Sequence, residues 1–476
     1  MTAWIRSLPA RHGRTTLILL AAILVLGFGL RAYRVAEPLG TPGDDAHAYF
    51  DLSKSLYEDG SYGSSAFRDA SDWSPGAPLL YAGSFYATGG AREGTARIVE
   101  LLLGLAAIVV VFLLGRRIGG GPAGLLAAFG VAVYPPFIHS TGALFSEPPA
   151  IFTLPAAILA FLWAADGLGN STPPVGRGER GALRAGLSST PLSPRHSYAK
   201  WLLPGFLFGL TALIRPEYLA VGVAFVLLAG FRVGKARGWG PGAAVAASMV
   251  AALLLPIVPW TVRNVIVLDR VVPISTGGGK ALYVGTYLPA DGEYQRVKAL
   301  LVERYLGRDL EPGSEALDEV EPAPLFDRVA RAHPELPRDE ALGRTGRENL
   351  YDYLGEDPVG YAAMTVRKVW RMWSGGVGEA MSSTAGRLIQ VMLVLLALAG
   401  LGRLAGRRRW WEAVALATPI AIVTAVGAAS LAAPRRNEIL MTLIFPLAGA
   451  ALASAAGALF SGDSWTSRKQ ASSPPS

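Results

Sequence analysis

The chain has 476 residues, of which 51% are hydrophobic and only 17% are charged, a balance too apolar for a water-soluble protein of this length. The formal net charge of +8 does not indicate nucleic-acid binding, because the basic residues form short clusters between apolar runs. Cysteine is absent, which excludes disulfide bridges, thiol-ligated metal and a cysteine nucleophile. The composition predicts an integral membrane protein. We expect it to be all-α and multi-pass and to lie in the plasma or inner membrane.

The apolar runs give the number of membrane spans. A helix needs about 20 apolar residues to cross a bilayer core about 30 Å thick. About ten such runs occur, and the short fifth and sixth runs meet at Arg215-Pro216. The runs cover residues 15–33, 96–115, 121–138, 143–165, 200–214, 216–231, 241–262, 384–402, 411–432 and 439–460.

Basic clusters between these runs give the orientation. With the N-terminus in the cytoplasm, all the clusters fall inside, as the positive-inside rule requires, and both termini are cytoplasmic. The first run is predicted to be an uncleaved helix, because its apolar stretch is long and no small-residue cleavage site follows. The clusters are Arg6 with Arg11 and Arg14, Arg116 with Arg117, the 166–199 loop, Arg232 with Lys235 and Arg237, Arg403 with Arg407 to Arg409, and Arg468 with Lys469.

The chain is predicted to form a single transmembrane domain over residues 1–476. Its two longest loops, 34–94 and 263–380, face outside. The first is acidic with apolar residues at helical spacing, which predicts two short interfacial helices. The second is predicted to fold into a small cap that ends in an amphipathic segment at 361–373. Two segments rich in Gly, Ser or Pro are predicted to be a flexible cytoplasmic loop, 166–199, and a disordered cytoplasmic tail, 461–476.

Acidic residues just beyond the first span are candidates for catalysis. Asp45 precedes Tyr49 by four residues in the segment GDDAHAY. A carboxylate at a membrane boundary can act as a general base, and the alternative is a solvated acidic loop. Asp44 is the second candidate for this base. His47 also permits a divalent metal site, but an ordinary surface histidine is the simpler interpretation, and no cofactor is expected to be required.

Further charged residues lie at the outer ends of later spans. Glu147 opens the fourth run, where a carboxylate is costly unless it faces a cavity; the alternative is an acid favoured by a helix N-terminus. Arg215, Arg263, Arg435 and Arg436 lie at outer helix ends, against the positive-inside trend. Guanidinium groups can bind phosphate with two hydrogen bonds, whereas snorkelling is the alternative. Together these residues predict an outward cleft that holds a base and an anionic, phosphate-bearing ligand.

These motifs resemble, in their order along most of the chain, the GT-C membrane glycosyltransferases, in the branch of protein O-mannosyltransferases and lipid A aminoarabinose transferases. Two departures are clear. Asp45-Ala46 stands where the family often has Asp-Glu, and the segment PRRN at 434–437 replaces Arg-Tyr-x-x-Pro. The matching motifs are GDDAHAY at 43–49 with Gly60, SPGAP at 74–78, Ser146-Glu147, Arg215-Pro216, PWTVRN at 259–264 with VPISTGG at 272–278, and the segment 347–373.

The resemblance implies a GT-C fold and an inverting hexosyl- or pentosyltransferase that uses a polyprenyl-phosphate sugar donor. Asp45 would be the base and Glu147 would orient it or a substrate. Arg263 is the first candidate for the donor phosphate, followed by Arg215, with Asn264 adjacent. The acceptor would be a lipid, glycan or protein at the outer face. Two alternatives stay open: a lipid-linked glycan ligase or polymerase, and a transporter, although the chain shows no convincing internal repeat.

Overall fold

The computed structural model describes residues 10–37, 45–63, 70–168 and 198–470, and within these ranges it contains helices and no strand. The first ten α-helices are α1 (Ala10–Ala36), α2 (Asp45–Glu58), α3 (Gly76–Thr88), α4 (Glu93–Val133), α5 (Pro135–Ser140), α6 (Glu147–Ala165), α7 (Leu202–Ile214), α8 (Tyr218–Arg237), α9 (Trp239–Leu268) and α10 (Gly278–Thr286). The later ones are α11 (Tyr294–Leu306), α12 (Glu315–Asp318), α13 (Ala323–Ala330), α14 (Arg338–Glu356), α15 (Pro358–Ser374), α16 (Glu379–Ser382), α17 (Thr384–Gly406), α18 (Trp410–Ala429) and α19 (Pro434–Gln470). Short 3-10 helices lie at Ala70–Asp72, Asp166–Leu168 and Leu288–Ala290.

Eight helices within the described residues are long and apolar enough to cross a membrane: α1, α4, α6, α8, α9, α17, α18 and α19. In lipid, backbone polar groups must be satisfied within the spanning segment, which a helix achieves by itself. The chain is thus an integral, multi-pass membrane protein. The predicted run 200–214 corresponds to α7, whose 13 residues are shorter than a bilayer core requires.

Two predicted spans lie within one long helix. α4 contains Gly120 with a positive φ of 86°, a conformation that residues with side chains rarely adopt. A Cβ atom added at Gly115 would lie 2.9 Å from the Ala123 carbonyl oxygen, although eight residues of a straight helix span about 12 Å. The chain therefore doubles back at Gly120. Two antiparallel arms of α4 thus account for the predicted runs 96–115 and 121–138.

Contacts between residues divide the chain into two compact units, each described by itself. The first unit comprises Met1–Pro155 and Ser275–Ser476, and the second comprises Ala156–Ile274. In the first, α4 packs on α1 and α19, and α17 packs on α19; in the second, α7, α8 and α9 pack on one another. The single domain over 1–476 stays a prediction.

The two short helices predicted in the first loop are α2 and α3. They pack through a buried cluster that includes Tyr49, Tyr81 and Phe85. The ring of Tyr49 meets the ring of Trp73 edge to face, with centroids 5.1 Å apart. This packing fixes the position of the start of α2, the end of the helix nearer to the first span. The interfacial helices are therefore confirmed as elements of the fold.

The 263–380 loop forms the predicted folded cap. Its helices α10 to α14 share a core around Tyr283, Val297 and Phe326. The amphipathic segment is α15, which buries residues such as Met364 and leaves others such as Trp370 exposed. Most of the predicted loop 166–199 lies outside the described residues, and α19 continues to Gln470, into the segment predicted to be a disordered tail.

Candidate active site

Asp45 is the first residue of α2, and its side chain is 37% exposed. The buried face of α2, which includes Tyr49 and Leu52, packs against α3 and fixes where this helix begins. An acid in the first turn is favoured by the helix macrodipole. Asp44, the other candidate base, lies outside the described residues.

Glu147 is the first residue of α6 and is fully buried. The turn that precedes it is held by Glu100, a fully buried carboxylate of α4. Glu100 accepts hydrogen bonds from the backbone N–H of Gly142 (2.6 Å) and Leu144 (3.2 Å) and from the Tyr81 hydroxyl (2.5 Å). Burial, together with the charge of Glu100, raises the pKa of Tyr81, so that its hydroxyl remains a donor. Glu100 thus positions the start of α6 and therefore Glu147.

Arg435, in the first turn of α19, joins the two candidate acids. Its guanidinium donates hydrogen bonds to Asp45 Oδ2 and to both carboxylate oxygens of Glu147, one of them at 3.2 Å. The guanidinium carbon also lies 4.7 Å from the centroid of the Phe145 ring, a cation–π contact. The fold therefore brings Asp45, Glu147 and Arg435 together within the first unit.

The three side chains differ in access to solvent. Two carboxylates and one guanidinium leave one formal negative charge. The desolvation cost of burying this charge is offset only if its hydrogen-bond and ionic partners are well placed. Glu147 is enclosed, whereas the Asp45 side chain is 37% exposed. Asp45 is therefore the acid that a substrate can reach, and Arg435 joins it to the buried Glu147.

Helices of the cap contribute two residues near Asp45 that the sequence did not indicate. Burial raises the pKa of Tyr294 to about 12, and the charge of Asp45 adds to this shift. The Lys280 ammonium lies over the rings of Tyr294 and Phe326, 5.1 and 5.0 Å from their centroids. Burial lowers the pKa of Lys280, against the opposing charges of Asp72 and Asp45. Tyr294 and Lys280 therefore lie within electrostatic reach of the exposed acid.

Three other candidates have different surroundings. Tyr49 is buried in the cluster between α2 and α3. His47 is half-buried, and its buried Nδ1 has no hydrogen-bond partner among the described residues. The charge of Arg436 contributes to lowering the pKa of Lys368, after burial and Arg371. Arg436 therefore lies within electrostatic reach of Lys368.

A divalent metal was an open alternative around His47. Among the residues that the structure describes, no group of three or more His, Asp or Glu side chains could hold a metal ion. Both described carboxylates of the site already accept hydrogen bonds from Arg435. Because Asp44 is not described, the metal prediction stays untested.

The arginines favoured for phosphate binding lie in the second unit. Arg263 stacks over the Trp260 ring, 5.1 Å from its centroid, and donates to Asn264 Oδ1 at 3.1 Å. Asn264 is buried and donates to the carbonyl oxygens of Val272 (2.9 Å) and Ile274 (3.2 Å). These contacts close the turn after α9. The structure gives Asn264 a local role, and the phosphate role of this pair stays a prediction.

Arg215 lies at the break between α7 and α8, where its backbone is extended. Its Nε is 3.8 Å from a carboxylate oxygen of Glu217, and both side chains are mostly buried. This ion pair gives Arg215 a local role in the connection between two helices, and its phosphate role stays a prediction.

No protein-family model and no curated protein sequence matches this chain. Solved structures do match. The oligosaccharyltransferase of Archaeoglobus fulgidus in its apo form superposes with a TM-score of 0.53 at 16% identity, over 97% of this chain and 53% of that protein. Oligosaccharyltransferase AglB of the same organism, in complex with an inhibitory peptide and a dolichol-phosphate, gives a TM-score of 0.50 at 16% identity, over 97% of this chain and 52% of that protein.

A weaker match is ArnT of Cupriavidus metallidurans bound to undecaprenyl phosphate, with a TM-score of 0.38 at 14% identity over 92% of this chain and 78% of that one. The chain spans about half the length of the oligosaccharyltransferases that it matches. At this identity the likeness concerns the fold alone. The predicted polytopic, all-helical GT-C fold is thereby confirmed.

Proposed function

We propose that this chain is a membrane glycosyltransferase that transfers a sugar from a polyprenyl-phosphate-linked donor to an acceptor at the outer face of the plasma or inner membrane. The observation that carries the proposal is the pairing of one accessible and one buried carboxylate, Asp45 and Glu147, through Arg435. An ionic cluster at the ends of membrane helices is costly and needs a functional explanation. The fold, which resembles that of an oligosaccharyltransferase solved in complex with a dolichol-phosphate, supports a lipid-linked donor.

The proposed reaction is an inverting displacement. Asp45 takes the proton of the acceptor hydroxyl while the acceptor oxygen forms a bond to the anomeric carbon. The bond from that carbon to the phosphate oxygen breaks, and its electron pair leaves with the lipid phosphate. Arg435 and Glu147 hold Asp45 in one orientation, so that the general base is preorganised.

The leaving phosphate gains negative charge in the transition state. A fixed cation beside it stabilises the transition state more than the ground state, which raises the rate. Arg263 is the first candidate for this cation and Arg215 the second, with Asn264 beside Arg263. Product analysis identifies the sugar, which is a hexose or a pentose. It also identifies the acceptor, which is a lipid, a glycan or a protein.

A second candidate function is transfer of a preassembled lipid-linked glycan. The likeness to an oligosaccharyltransferase, which extends over 97% of this chain, favours it. Both functions use a lipid carrier and a base, and they differ in the number of sugars moved. The mass of the product distinguishes them.

Transfer by the purified protein tests the proposal directly. Polyprenyl-phosphate sugars with a labelled hexose or pentose are incubated with the protein and with membrane lipids, glycans or peptides as acceptors. We expect release of the polyprenyl phosphate together with a labelled, inverted product. A wild-type protein that consumes none of the donors, while remaining folded, would contradict the proposal. A transporter would instead move a labelled solute across vesicles without releasing lipid phosphate.

The orientation of the site is tested separately by cysteine labelling. Because the natural chain has no cysteine, a single substitution can be labelled without altering other positions. We expect membrane-impermeant reagents to label Ser71→Cys and Asp309→Cys from outside, and Ser188→Cys only after the membrane is opened. Reversed labelling at any of these positions would move the site to the cytoplasmic face.

A further inference from the structure

Three separate segments of the first unit meet at the turn of α4. Arg409, just before α18, donates hydrogen bonds to the backbone oxygens of Arg117 (3.1 Å) and Ile118 (3.0 Å), at the end of the first arm of α4. A Cβ atom added at Gly121, just beyond the turn, would lie 3.6 Å from Thr16 Oγ1 of α1. The start of α1 and the connection from α17 to α18 therefore both lie beside this turn.

Each of these segments carries arginine, and together they form a surface that we call the basic end. It lies far from the candidate active site along the same helices. Arg117 follows Glu100, which positions Glu147, by 17 residues, or about 25 Å of helix. That separation is close to the thickness of a bilayer core. The basic end comprises Arg14, Arg117, Arg403, Arg407, Arg408 and Arg409.

Three of these arginines have no anionic partner among the residues that the structure describes. Arg403, in the last turn of α17, has a buried Nε that lacks a hydrogen-bond partner there. Arg407 and Arg408 are exposed, and their guanidinium groups make no hydrogen bond or ion pair within the described ranges. Arg409 differs, because it lies 2.7 Å from a carboxylate oxygen of Glu412. The basic end therefore presents positive charge that the described fold does not neutralise.

The turn that carries this charge is not optimised for stability. Arg408 has a φ of 58°, a left-handed conformation that glycine adopts at lower cost. The turn closes α17, since Arg408 N–H donates to Ala405 O (2.9 Å) and Arg409 N–H donates to Leu404 O (2.8 Å). Glycine is the usual residue at such a helix end. Trp410, which follows, is 58% exposed, and tryptophan is typical of membrane–water interfaces. The turn thus presents cations and an aromatic ring where headgroups would lie.

We propose that the basic end binds an anionic phospholipid of the leaflet opposite the candidate active site, with Arg403, Arg407 and Arg408 around its phosphate. Guanidinium groups suit phosphate oxygens, and basic surfaces between membrane helices are suited to anionic headgroups. The acyl chains lie along α17, an apolar helix most of which the rest of the protein leaves uncovered. This neighbouring apolar surface favours a lipid over free phosphate. The inference does not depend on the proposed transferase.

Binding of cardiolipin, an anionic phospholipid with two phosphate groups, to the full-length protein in neutral detergent tests the inference by native mass spectrometry. The double variant Arg407→Gln with Arg408→Gln should bind about tenfold more weakly or less, which corresponds to about 1.4 kcal/mol. Arg308→Gln with Arg331→Gln is the matched control, because it removes two exposed charges from the cap, and it should bind as wild type. Phosphatidylcholine, which has no net charge, should bind all three proteins weakly.

Arg408→Gly separates binding from folding. Glycine relaxes the left-handed turn, so the lipid-free melting temperature should not fall, whereas cardiolipin binding should weaken. A lower melting temperature with unchanged binding would overturn the assignment of Arg408.

Three other results in folded protein would overturn the inference. The first is wild-type affinity in Arg407→Gln with Arg408→Gln. The second is an equal loss in the cap control, which indicates a general effect of net charge. The third is full competition by inorganic phosphate at millimolar concentration, which would replace the lipid with a free anion.

Discussion

Two polar regions of this protein were both candidates for chemistry, and they are built in different ways. In the first unit, Arg435 reaches two carboxylates, Asp45 and Glu147, that are 390 and 288 residues away along the chain. In the second unit, the hydrogen bonds from Arg263 to Asn264 and from Asn264 to Val272 and Ile274 join residues no more than ten positions apart. The first cluster exists only because three distant segments fold together.

This difference separates functional from structural explanations. Asn264 satisfies backbone carbonyl groups of its own turn, and this contribution to stability explains its burial. The two carboxylates are instead joined by Arg435, and charges buried at a membrane boundary cost free energy. The carboxylate cluster is therefore the stronger candidate for chemistry, and each variant below tests that ranking.

The largest expected effect is that of Asp45→Asn. The amide keeps the shape of the side chain but cannot take the proton of the acceptor at neutral pH. A general base contributes about 10²- to 10⁴-fold, so we expect turnover of a lipid-phosphate sugar to fall by that factor while binding of undecaprenyl phosphate is retained. The measurement is initial rates at matched protein concentration.

Asp51→Asn is the matched control for this variant. Asp51 lies on the same helix, α2, and makes no side-chain hydrogen bond with the described residues. It should keep near wild-type turnover. If Asp45→Asn remained active and Asp44→Asn did not, the base would be Asp44; activity in both would remove the proposed mechanism.

The second largest effect is expected for Arg435→Gln. This change leaves the fully buried Glu147 charged and unpaired by Arg435, and breaking a buried ion pair costs about 3–5 kcal/mol. The double variant Arg435→Gln with Glu147→Gln should recover most of the stability and stay inactive. Thermal unfolding in detergent measures the first outcome, and the transfer assay measures the second.

Arg92→Gln is the control, because it removes the same charge from an exposed side chain at the start of α4. It should leave the melting temperature close to that of wild type. A double variant no more stable than Arg435→Gln alone would show that the pair with Glu147 contributes little.

A smaller effect is expected in the second unit. If Arg263 binds the donor phosphate, Arg263→Ala should lower kcat/KM for the donor by about tenfold or more. Arg263→Lys should lose less than Ala but remain below wild type, because a point charge cannot replace a planar fork. If the residue only stacks on Trp260, both variants change the melting temperature and leave the donor KM unchanged. Equal activity of wild type and Ala would remove Arg263 from the site.

Much of the membrane fold could be predicted because lipid allows few alternatives. Apolar runs must be helical there, so hydropathy alone located the spans, including the two arms of α4 that turn at Gly120. The cap could be predicted only as a folded segment. Its helices bury single faces against one another, as Tyr283 and Phe326 do, and such pairings depend on tertiary contacts.

The site, like the cap, could be predicted only in part, because its contacts join distant segments of the chain. Asp45 and Glu147 belong to recognisable local motifs, and Arg435 was a candidate whose partners could not be known. Glu100 was missed because it lies inside an apolar run, where one acid changes the hydropathy little. Tyr294 and Lys280 were missed because their relation to Asp45 comes from the fold of the cap. Long-range pairing is the information that a single sequence does not carry.

The smallest expected effect concerns a buried cation that, like Asn264, is satisfied by backbone groups. Lys368 of α15 donates to the carbonyl oxygens of Gly285 (2.6 Å) and Ala428 (2.9 Å). Burial, with help from the charges of Arg371 and Arg436, lowers the pKa of Lys368 from 10.5 to about 8. Between these values the unfolded chain binds a proton that the folded chain has released. Stability should therefore rise with pH across this window and lose that gain as pH falls through about 8.

Thermal unfolding of wild type and Lys368→Met between about pH 7 and 10.5 isolates this contribution, because methionine does not titrate. At the lower end the variant should be less stable by about 1–3 kcal/mol, since two buried carbonyl groups lose their donor. As pH rises, wild type should gain stability relative to the variant by at most about 1.4 kcal/mol per pH unit. Parallel curves for the two proteins would show that the pKa of Lys368 is not lowered by folding. Loss of Lys368, a cation held by carbonyl groups, should thus change stability and its pH dependence. Loss of Arg435 should also abolish transfer.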